Sequence, residues 1–439
     1  MSTVEETWDV AVIGAGAAGL RAAATLSRAG RRVLLIEARE RIGGRILTQQ
    51  RPELPFPLEL GAEFIHGEAP ATAALLREAG IPVLDSAGER WTRRDGQLSP
   101  RESLFEDVRR LLSRARLLDS DLSVEDFLAR QAADPALAAA CAYARMMVQG
   151  FDGADPRRAS VRAIAEEWGG ESLQGQYRPL GGYGAALTQL ARTLDPQLTR
   201  LMLGSRVRQV SWDAHGVRLT ATSARQGVHI RARRALVTLP LGVLQCADSD
   251  PAAVRFEPAL THKRAALEGL ANGAVVKVLL QFRSAFWERL QQGRYADAGF
   301  LHAPGEDFPT FWSQLPLRAP LLTAWTGGPQ AARLAGVGRE DIIERALASA
   351  DRLLDAHEAC EREFVCGYVH DWSADPSSRG AYSYIAVGGS DAPAQLAEPL
   401  AETLFFAGEA THPEGAGTVE GALQSAERAA RDILGLADR

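Results

Sequence analysis

Asp9-Val-Ala-Val-Ile-Gly-Ala-Gly-Ala-Ala-Gly-Leu20, followed by Val33-Leu-Leu-Ile-Glu37, is the stretch from which the rest of the chain can be read. A short apolar run ends at Gly14, and Gly14, Gly16 and Gly19 form a G-x-G-x-x-G. An alanine-rich helical stretch follows as far as Gly30, and a second apolar run then stops at an acid. Strand, helix and strand in this order make a βαβ unit built around a diphosphate. The first glycine allows the tight turn, the second lets the backbone approach the pyrophosphate, and the third lets helix and strand pack closely. The backbone N–H groups at the helix start, from Ala17 onward, supply the anion site. Glu37 lies 21 residues after Gly16, where an acid binds ribose hydroxyls. The motif implies a bound dinucleotide and leaves NAD and FAD both open.

The next residues bear on that choice. Ala38-Arg39-Glu-Arg-Ile-Gly43-Gly44-Arg45 places two more glycines and an arginine directly after the ribose acid. Further backbone N–H groups and a guanidinium beside the same diphosphate resemble the extension of flavoproteins of the amine oxidase and glutathione reductase type. That resemblance points to FAD.

Composition sets the frame. A chain of 439 residues suggests two domains, and 46% apolar with 24% charged residues is the balance of a soluble globular protein. A net charge of −6 with no basic arm argues against nucleic acid. No run of 18 apolar residues suggests a membrane span, and the first strand starts too near Met1 for a signal peptide. Four scattered cysteines show no C-x-x-C, and the eight histidines lack metal-ligand spacing, so no metal is expected. These features read as a cytoplasmic enzyme. Oligomeric state is not legible, and a homodimer is compatible with the sequence.

Further along, Leu58 to Gly67 is strand-like, with Gly61 inside it. Ala71–Ala79, Glu102–Leu117 and Ser123–Ala132 have helical spacing, with Pro156 and Gly169-Gly170 as breaks. From Ser205 to Val243 the period falls to two, and Leu404-Phe-Phe-Ala-Gly408-Glu409 restores a buried-strand pattern before a helix from Thr418. Both ends of the chain therefore return to one nucleotide domain. The expected division is 1–75, 176–250 and 386–439 for FAD, and 76–175 with 251–385 for substrate. Helices of the 70–175 region, with Phe311-Trp312 and Trp325, are expected to wall the substrate cavity.

Of the 49 basic residues only Lys263 and Lys277 are lysine. Lys263 sits in the polar segment Thr261-His-Lys-Arg and needs no special account on local pattern. Lys277 interrupts the apolar strand Ala274-Val-Val-Lys-Val-Leu-Leu-Gln-Phe282. A desolvated ammonium needs partners or a wet cavity, so this lysine is read as pointing at a reaction centre. Trp372, Tyr382 and Tyr384 surround a turn and suit a ring wall for a planar cofactor or a cationic substrate. In the last segment Gly408 and Glu409 would meet the diphosphate-ribityl region. The helix start at Thr418-Val419 would face the flavin pyrimidine.

The chain resembles flavin-containing amine oxidases, closest to the polyamine oxidase and lysine-specific demethylase branch. The likeness rests on Val10–Arg45, Leu60-Gly-Ala-Glu-Phe-Ile-His-Gly67, Lys277 in its strand, Trp372 with Tyr382, and Ala407-Gly-Glu with Thr418-Val. It implies a two-domain α/β fold: a Rossmann-like FAD-binding domain of the glutathione reductase type and an α+β substrate domain.

It further implies that Lys277 holds a water near flavin N5, that Trp372 packs at the flavin and that Tyr382 is a substrate-cage aromatic. His66 matches a residue that meets substrate nitrogen, with Glu63 beside it adding negative charge. Gly61 and Ala62 lie in the same FAD-facing segment, and Val207 matches a backbone contact to adenine. Where monoamine oxidases carry a flavin-linked cysteine this chain has Ala381, so FAD is expected to be non-covalent. Thr418 replaces their second cage tyrosine. The chain ends at Arg439 without a membrane-anchoring tail, and a histone role is not expected.

The implied reaction is hydride loss from a neutral amine to flavin N5, followed by imine hydrolysis, with molecular oxygen reduced to hydrogen peroxide. An L-amino acid oxidase, a secondary-metabolite amine or amide oxidase, a desaturase or protoporphyrinogen-type oxidase and a non-enzymatic flavin protein are the alternatives.

Overall fold

A computed structural model describes residues 7–436 apart from 87, 95, 101–102, 170–174 and 224–225, so Glu102 and Gly170 lie outside the described residues. The opening motif folds as strand Thr7–Ile13, helix Ala17–Arg28 and strand Val33–Ile36. The two strands pair in parallel, Val10 opposite Val33 and Ile13 opposite Ile36. Both faces of the first strand are buried, and its alternation sorts them. Val10 and Val12 pack with the helices Ala17–Arg28 and Val419–Leu434, whereas Ala11 and Ile13 pack with Val207, Val217 and Phe406 on the opposite face.

The sheet has eight strands. Its order is Thr199–Met202, Val33–Ile36, Thr7–Ile13, Gln226–Val237, Gly216–Ser223, Ser205–Asp213 and Arg255–Glu257, with Leu404–Phe406 paired to the end of Gln226–Val237. The strand Arg255–Glu257 continues this sheet past residue 250.

A second sheet of seven strands runs Phe364–Asp371, Val275–Phe282, Leu321–Gly327, Thr310–Trp312, Ala298–His302, Glu89–Arg94 and Gln97–Pro100. In Val275–Phe282 the residues Val276, Val278, Leu280 and Phe282 enter a core shared with Leu347 and Leu353 of helix Arg339–Leu354. Lys277 alternates to the other face, between Val275, which packs with Trp372 and Ala381, and Leu279, which packs with Leu58 and Leu60. The period of two thus aims the lysine at the nucleotide half. The helices Ser103–Ser113, Val124–Gln131, Ala138–Gly150 and Val161–Gly169 share a third core. Ser123 caps the second of them by accepting from Asp126 N.

Three local expectations change. The strand-like piece from Leu58 to Gly67 is two short strands, Leu58–Glu59 and Ile65–His66, separated by irregular backbone. Gly61 packs there so tightly that a Cβ would come 2.0 Å from Arg45 O. Lys263 is not a polar-surface residue. It is 1% exposed, and its Nζ donates to Gln395 O at 2.6 Å and Glu398 O at 2.5 Å. Phe311 is fully buried in the second-sheet core, because alternation turns it away from its neighbour Trp312. Among the described residues no helix is long and apolar enough to cross a membrane.

Candidate active site

One cavity of about 860 Å³ runs between the two sheets. Gly14, Gly16, Ala17, Glu37, Ala38, Arg39, Gly43, Gly44, Arg45 and Val207 line one end. Gly61, Ala62, Glu63, His66, Lys277, Trp372, Ala381, Tyr382, Gly408, Glu409, Thr418 and Val419 line the rest. Gly19 stands off the wall and serves packing, since a Cβ on it would fall 1.8 Å from Gly14 O.

Gly16 has a different reason to be bare. A Cβ there would meet no protein atom closer than 3.9 Å and would project toward the cavity. Gly16 also begins helix Ala17–Arg28 with no capping side chain, leaving the first-turn N–H groups without a side-chain acceptor. An uncapped helix start behind a cradle free of side chains has the donor chemistry a diphosphate needs, so these residues fit the dinucleotide. Glu37 is buried, and its carboxylate accepts Ala15 N at 2.9 Å and Arg39 N at 2.8 Å. Two of its roughly four acceptor sites remain for hydroxyls.

Arg45 Nη1 donates to Ala381 O at 2.9 Å and Glu409 Oε1 at 2.7 Å. Glu409 also accepts from Ser383 and from Gly417 N at 2.8 Å. Burial would raise this carboxyl, but Arg45 and these donors outweigh it and hold it below the usual range. Glu409 thus ties the Arg45 loop to the last helix. The Thr418 hydroxyl donates to Gly415 O at 2.7 Å and accepts Gly421 N at 2.9 Å, capping helix Val419–Leu434.

Lys277 is 1% exposed. Its Nζ donates to Glu63 Oε2 at 2.6 Å and to Gly61 O at 3.2 Å, and stands 5.3 Å from the Trp312 ring centre. Glu63 also accepts Trp312 Nε1 at 3.1 Å and pairs with Arg178 at 3.3 Å. Burial pushes Glu63 upward, yet the two cations and the bonds from Lys277 and Trp312 hold it ionised below its ordinary range. One carboxylate between two cations leaves a buried surplus of positive charge beside the cavity.

Aromatic rings form the walls. Phe64 lies 5.5 Å from Trp312 and 5.6 Å from Phe300, and Trp312 lies 5.7 Å from Trp325. Trp372 is buried, donating Nε1 to Leu60 O at 3.0 Å, and the Tyr382 hydroxyl donates to Phe151 O at 2.6 Å. His66 stacks edge-on to Phe151 at 5.2 Å, and burial with the Arg90 charge brings its imidazole down to about 4. It is neutral at physiological pH. Tyr143, Met147 and Phe151 of the helical region join this wall.

Phe64, Phe151, Arg178 and Asp152 were not singled out from sequence. Phe64 lies inside the Leu60–Gly67 motif and was within reach of a closer reading. Arg178 is one of 47 arginines and carries no local mark.

A nucleotide sheet and a second sheet enclosing one shared cavity define a two-domain dinucleotide-dependent oxidoreductase. The model of the flavin-containing amine oxidoreductases matches residues 17–434, and the chain belongs to that family, whose cofactor is FAD and whose chemistry is amine oxidation. It is 28% identical to lysine-specific histone demethylase 1 homolog 3 of Arabidopsis thaliana across 97% of its length, but spans only 30% of that protein. It is also 28% identical to polyamine oxidase 2 of the same plant, covering 96% of this chain and 87% of that one. Among solved structures, putrescine oxidase bound to putrescine superposes with a TM-score of 0.81 at 23% identity, covering 98% of this chain and 100% of the other. Cyclohexylamine oxidase from Brevibacterium oxydans gives 0.78 at 23% identity, with 98% and 99% covered. Those two likenesses bear on the fold alone.

Proposed function

We propose that the chain oxidises the C–N bond of a small amine, giving an imine that water hydrolyses to a carbonyl compound and an amine or ammonia. The observation that carries this reading is the buried Lys277–Glu63 pair on the wall of a cavity whose far end is the glycine cradle. FAD, when bound, supplies the hydride acceptor. Gly14, Gly16, Ala17, Gly43, Gly44 and Arg45 would hold its diphosphate, Glu37 the ribose and Val207 the adenine, with Gly408, Glu409, Thr418 and Val419 toward the flavin.

Two of the three Lys277 N–H donors are used by Glu63 and Gly61, leaving one for a water or oxygen molecule in the cavity. Trp372 packs at the flavin, Tyr382 walls the substrate as its cage ring, and neutral His66 approaches the substrate nitrogen without repelling a cation.

The reading extends to molecular oxygen as acceptor with hydrogen peroxide released, FAD held non-covalently because residue 381 is alanine, a cytoplasmic setting and a homodimer. It assigns no nucleic acid or membrane partner. Residues 1–75, 176–250 and 386–439 would form the FAD domain, extended by the strand Arg255–Glu257, and 76–175 with the remainder of 251–385 the substrate domain.

A second reading, oxidation of an amine that also bears a carboxylate, draws on Arg90, whose guanidinium stands 5.9 Å over Phe300 on the cavity wall. Anaerobic mixing of the yellow protein with monoamines, polyamines and amino acids tests both. Bleaching by an amine is expected. A flavin that stays yellow with the whole panel overturns the assignment, and bleaching by amino acids alone selects the second reading.

A further inference from the structure

Two carboxylates on the same cavity wall take no part in the scheme above. Asp152 follows helix Ala138–Gly150, and Glu167 lies on helix Val161–Gly169. Asp152 is 5% exposed. Its Oδ1 accepts the Trp168 indole N–H at 3.3 Å, while the equally buried Oδ2 meets no donor. A buried carboxylate oxygen without a partner is rare in folded proteins and calls for something to fill it. Glu167 sits deep in the molecule, yet its side chain stays open to the cavity.

The pair adjoins the Tyr382 ring. The tyrosine hydroxyl is anchored on Phe151 O, and a Cβ on Gly153 would come 3.4 Å from the ring edge, so residues 151–153 wrap its hydroxyl end. Burial, with the Glu167 charge, pushes Asp152 well above its usual range, and burial raises Glu167 to about 7. Burial, with the charges of both acids, keeps the Tyr382 phenol protonated. Neighbouring carboxylates cannot both ionise cheaply, so the pair retains one proton near neutrality.

We propose that Asp152 and Glu167 jointly accept the ammonium proton of the incoming amine and so deliver the neutral amine that hydride loss requires. The proposal rests on the amine-oxidation reading. An ammonium has its nitrogen lone pair tied up in an N–H bond and cannot support departure of a hydride from the adjacent carbon. In the step, one N–H bond breaks, its electron pair stays on nitrogen, and an O–H bond forms on the pair. A cation and a singly charged pair become a neutral amine and a neutral pair. The proton leaves to cavity water once product has gone, and no electrons are exchanged.

Other groups on this wall do not serve. Glu63 is consumed by Lys277, Arg178 and Trp312, and His66, near 4, is too weak a base. Glu166 on the same helix also reaches the cavity wall, and Arg90, Tyr143, His302 and Tyr384 line the cavity with Tyr382 and His66. Burial and the Arg90 charge bring His302 down to about 4, so it too is a weak base.

The test is the pH dependence of kcat/KM for the holoenzyme, Asp152→Asn, Glu167→Gln and the conservative Asp152→Glu. The parent should give a bell, rising through the pair near 7 and falling at the substrate amine's own pKa of about 10. Asparagine and glutamine variants should lose ~10²-fold at pH 7 and rise without a bell up to the amine's pKa, with Asp152→Glu restoring the parent shape. Glu167→Gln, on a side chain open to the cavity, keeps the test valid should Asp152→Asn misfold.

A second readout needs no turnover. Calorimetry with tert-butylamine, which has no hydrogen on its nitrogen-bearing carbon, counts protons by comparing phosphate with Tris buffer. The parent should release about half a proton per amine at pH 7, where half of the pairs already hold the proton, and almost none at pH 8.5, whereas Glu167→Gln should release about one per amine at both. One proton released by the parent, or an unmoved profile in both variants while an amine still bleaches the flavin, overturns the pair alone. No bleaching by any amine overturns the underlying reading and the pair with it.

Discussion

At the scale of single residues, position and pairing decide what each ionisable group can do. Lys277 is held by Glu63 and Gly61, so its substitution removes a fixed cation and a directed N–H from the cavity. Lys277→Met should slow flavin reoxidation by oxygen ~10²-fold while amine binding changes little, as stopped-flow traces of reduction and reoxidation will resolve. Unchanged oxygen kinetics would remove the assigned role. Glu59 carries a different signature. It accepts Thr48 Oγ1 and Tyr183 N through one oxygen while the other is buried without a partner, and burial raises it to about 8. The folded state therefore holds a proton that the unfolded chain loses above about 4.5. Stability from this group is full below that pH and is lost as pH rises toward 8. Glu59→Gln should flatten the decline, measured by denaturant unfolding at pH 5, 7 and 8. Lys277 was legible because a charge inside an apolar run is a local contradiction. Lys263 was not, because the carbonyls that bury it come from residues 395 and 398, which local pattern cannot bring near. Asp152 reads as an ordinary turn residue until the chain folds round Tyr382.

At the scale of elements, the parts with strong local patterns were the readable ones. The βαβ unit and the last helix emerged within a residue or two of the sequence reading, since buried parallel strands and amphipathic helices declare themselves by period. The seven-stranded sheet did not. Its order joins Glu89–Arg94 to Ala298–His302 in parallel, across some two hundred residues, and no motif marks such a pairing. Thr418 illustrates an element-level role. It caps helix Val419–Leu434, whose first-turn Glu420 accepts Ala71 N and Thr72 N of helix Pro70–Glu78. Thr418→Ala should cost about 1 kcal/mol, seen in thermal unfolding, whereas Thr418→Ser should restore it. A far larger loss would mean the hydroxyl does more than cap.

At the scale of the whole molecule, the two sheets and the helical region all contribute to the cavity wall, so a cofactor bound there becomes part of the packing. Ala381, at the junction of both sheets, offers no thiol for a covalent link. Acid precipitation should give a colourless pellet and a yellow supernatant. Free FAD at a hundredfold excess over its dissociation constant should stabilise the fold by ~2.7 kcal/mol, read as a shift in the unfolding midpoint.

The lysine usage has a consequence at this scale too. Both lysines are interior, each 1% exposed, and every other cationic side chain that faces solvent is arginine or histidine. The outer surface therefore carries no primary side-chain amine. An aldehyde released from the cavity finds no lysine on its own catalyst with which to condense to a Schiff base, and an arginine-coated enzyme is spared the adducts its own chemistry would otherwise leave on it.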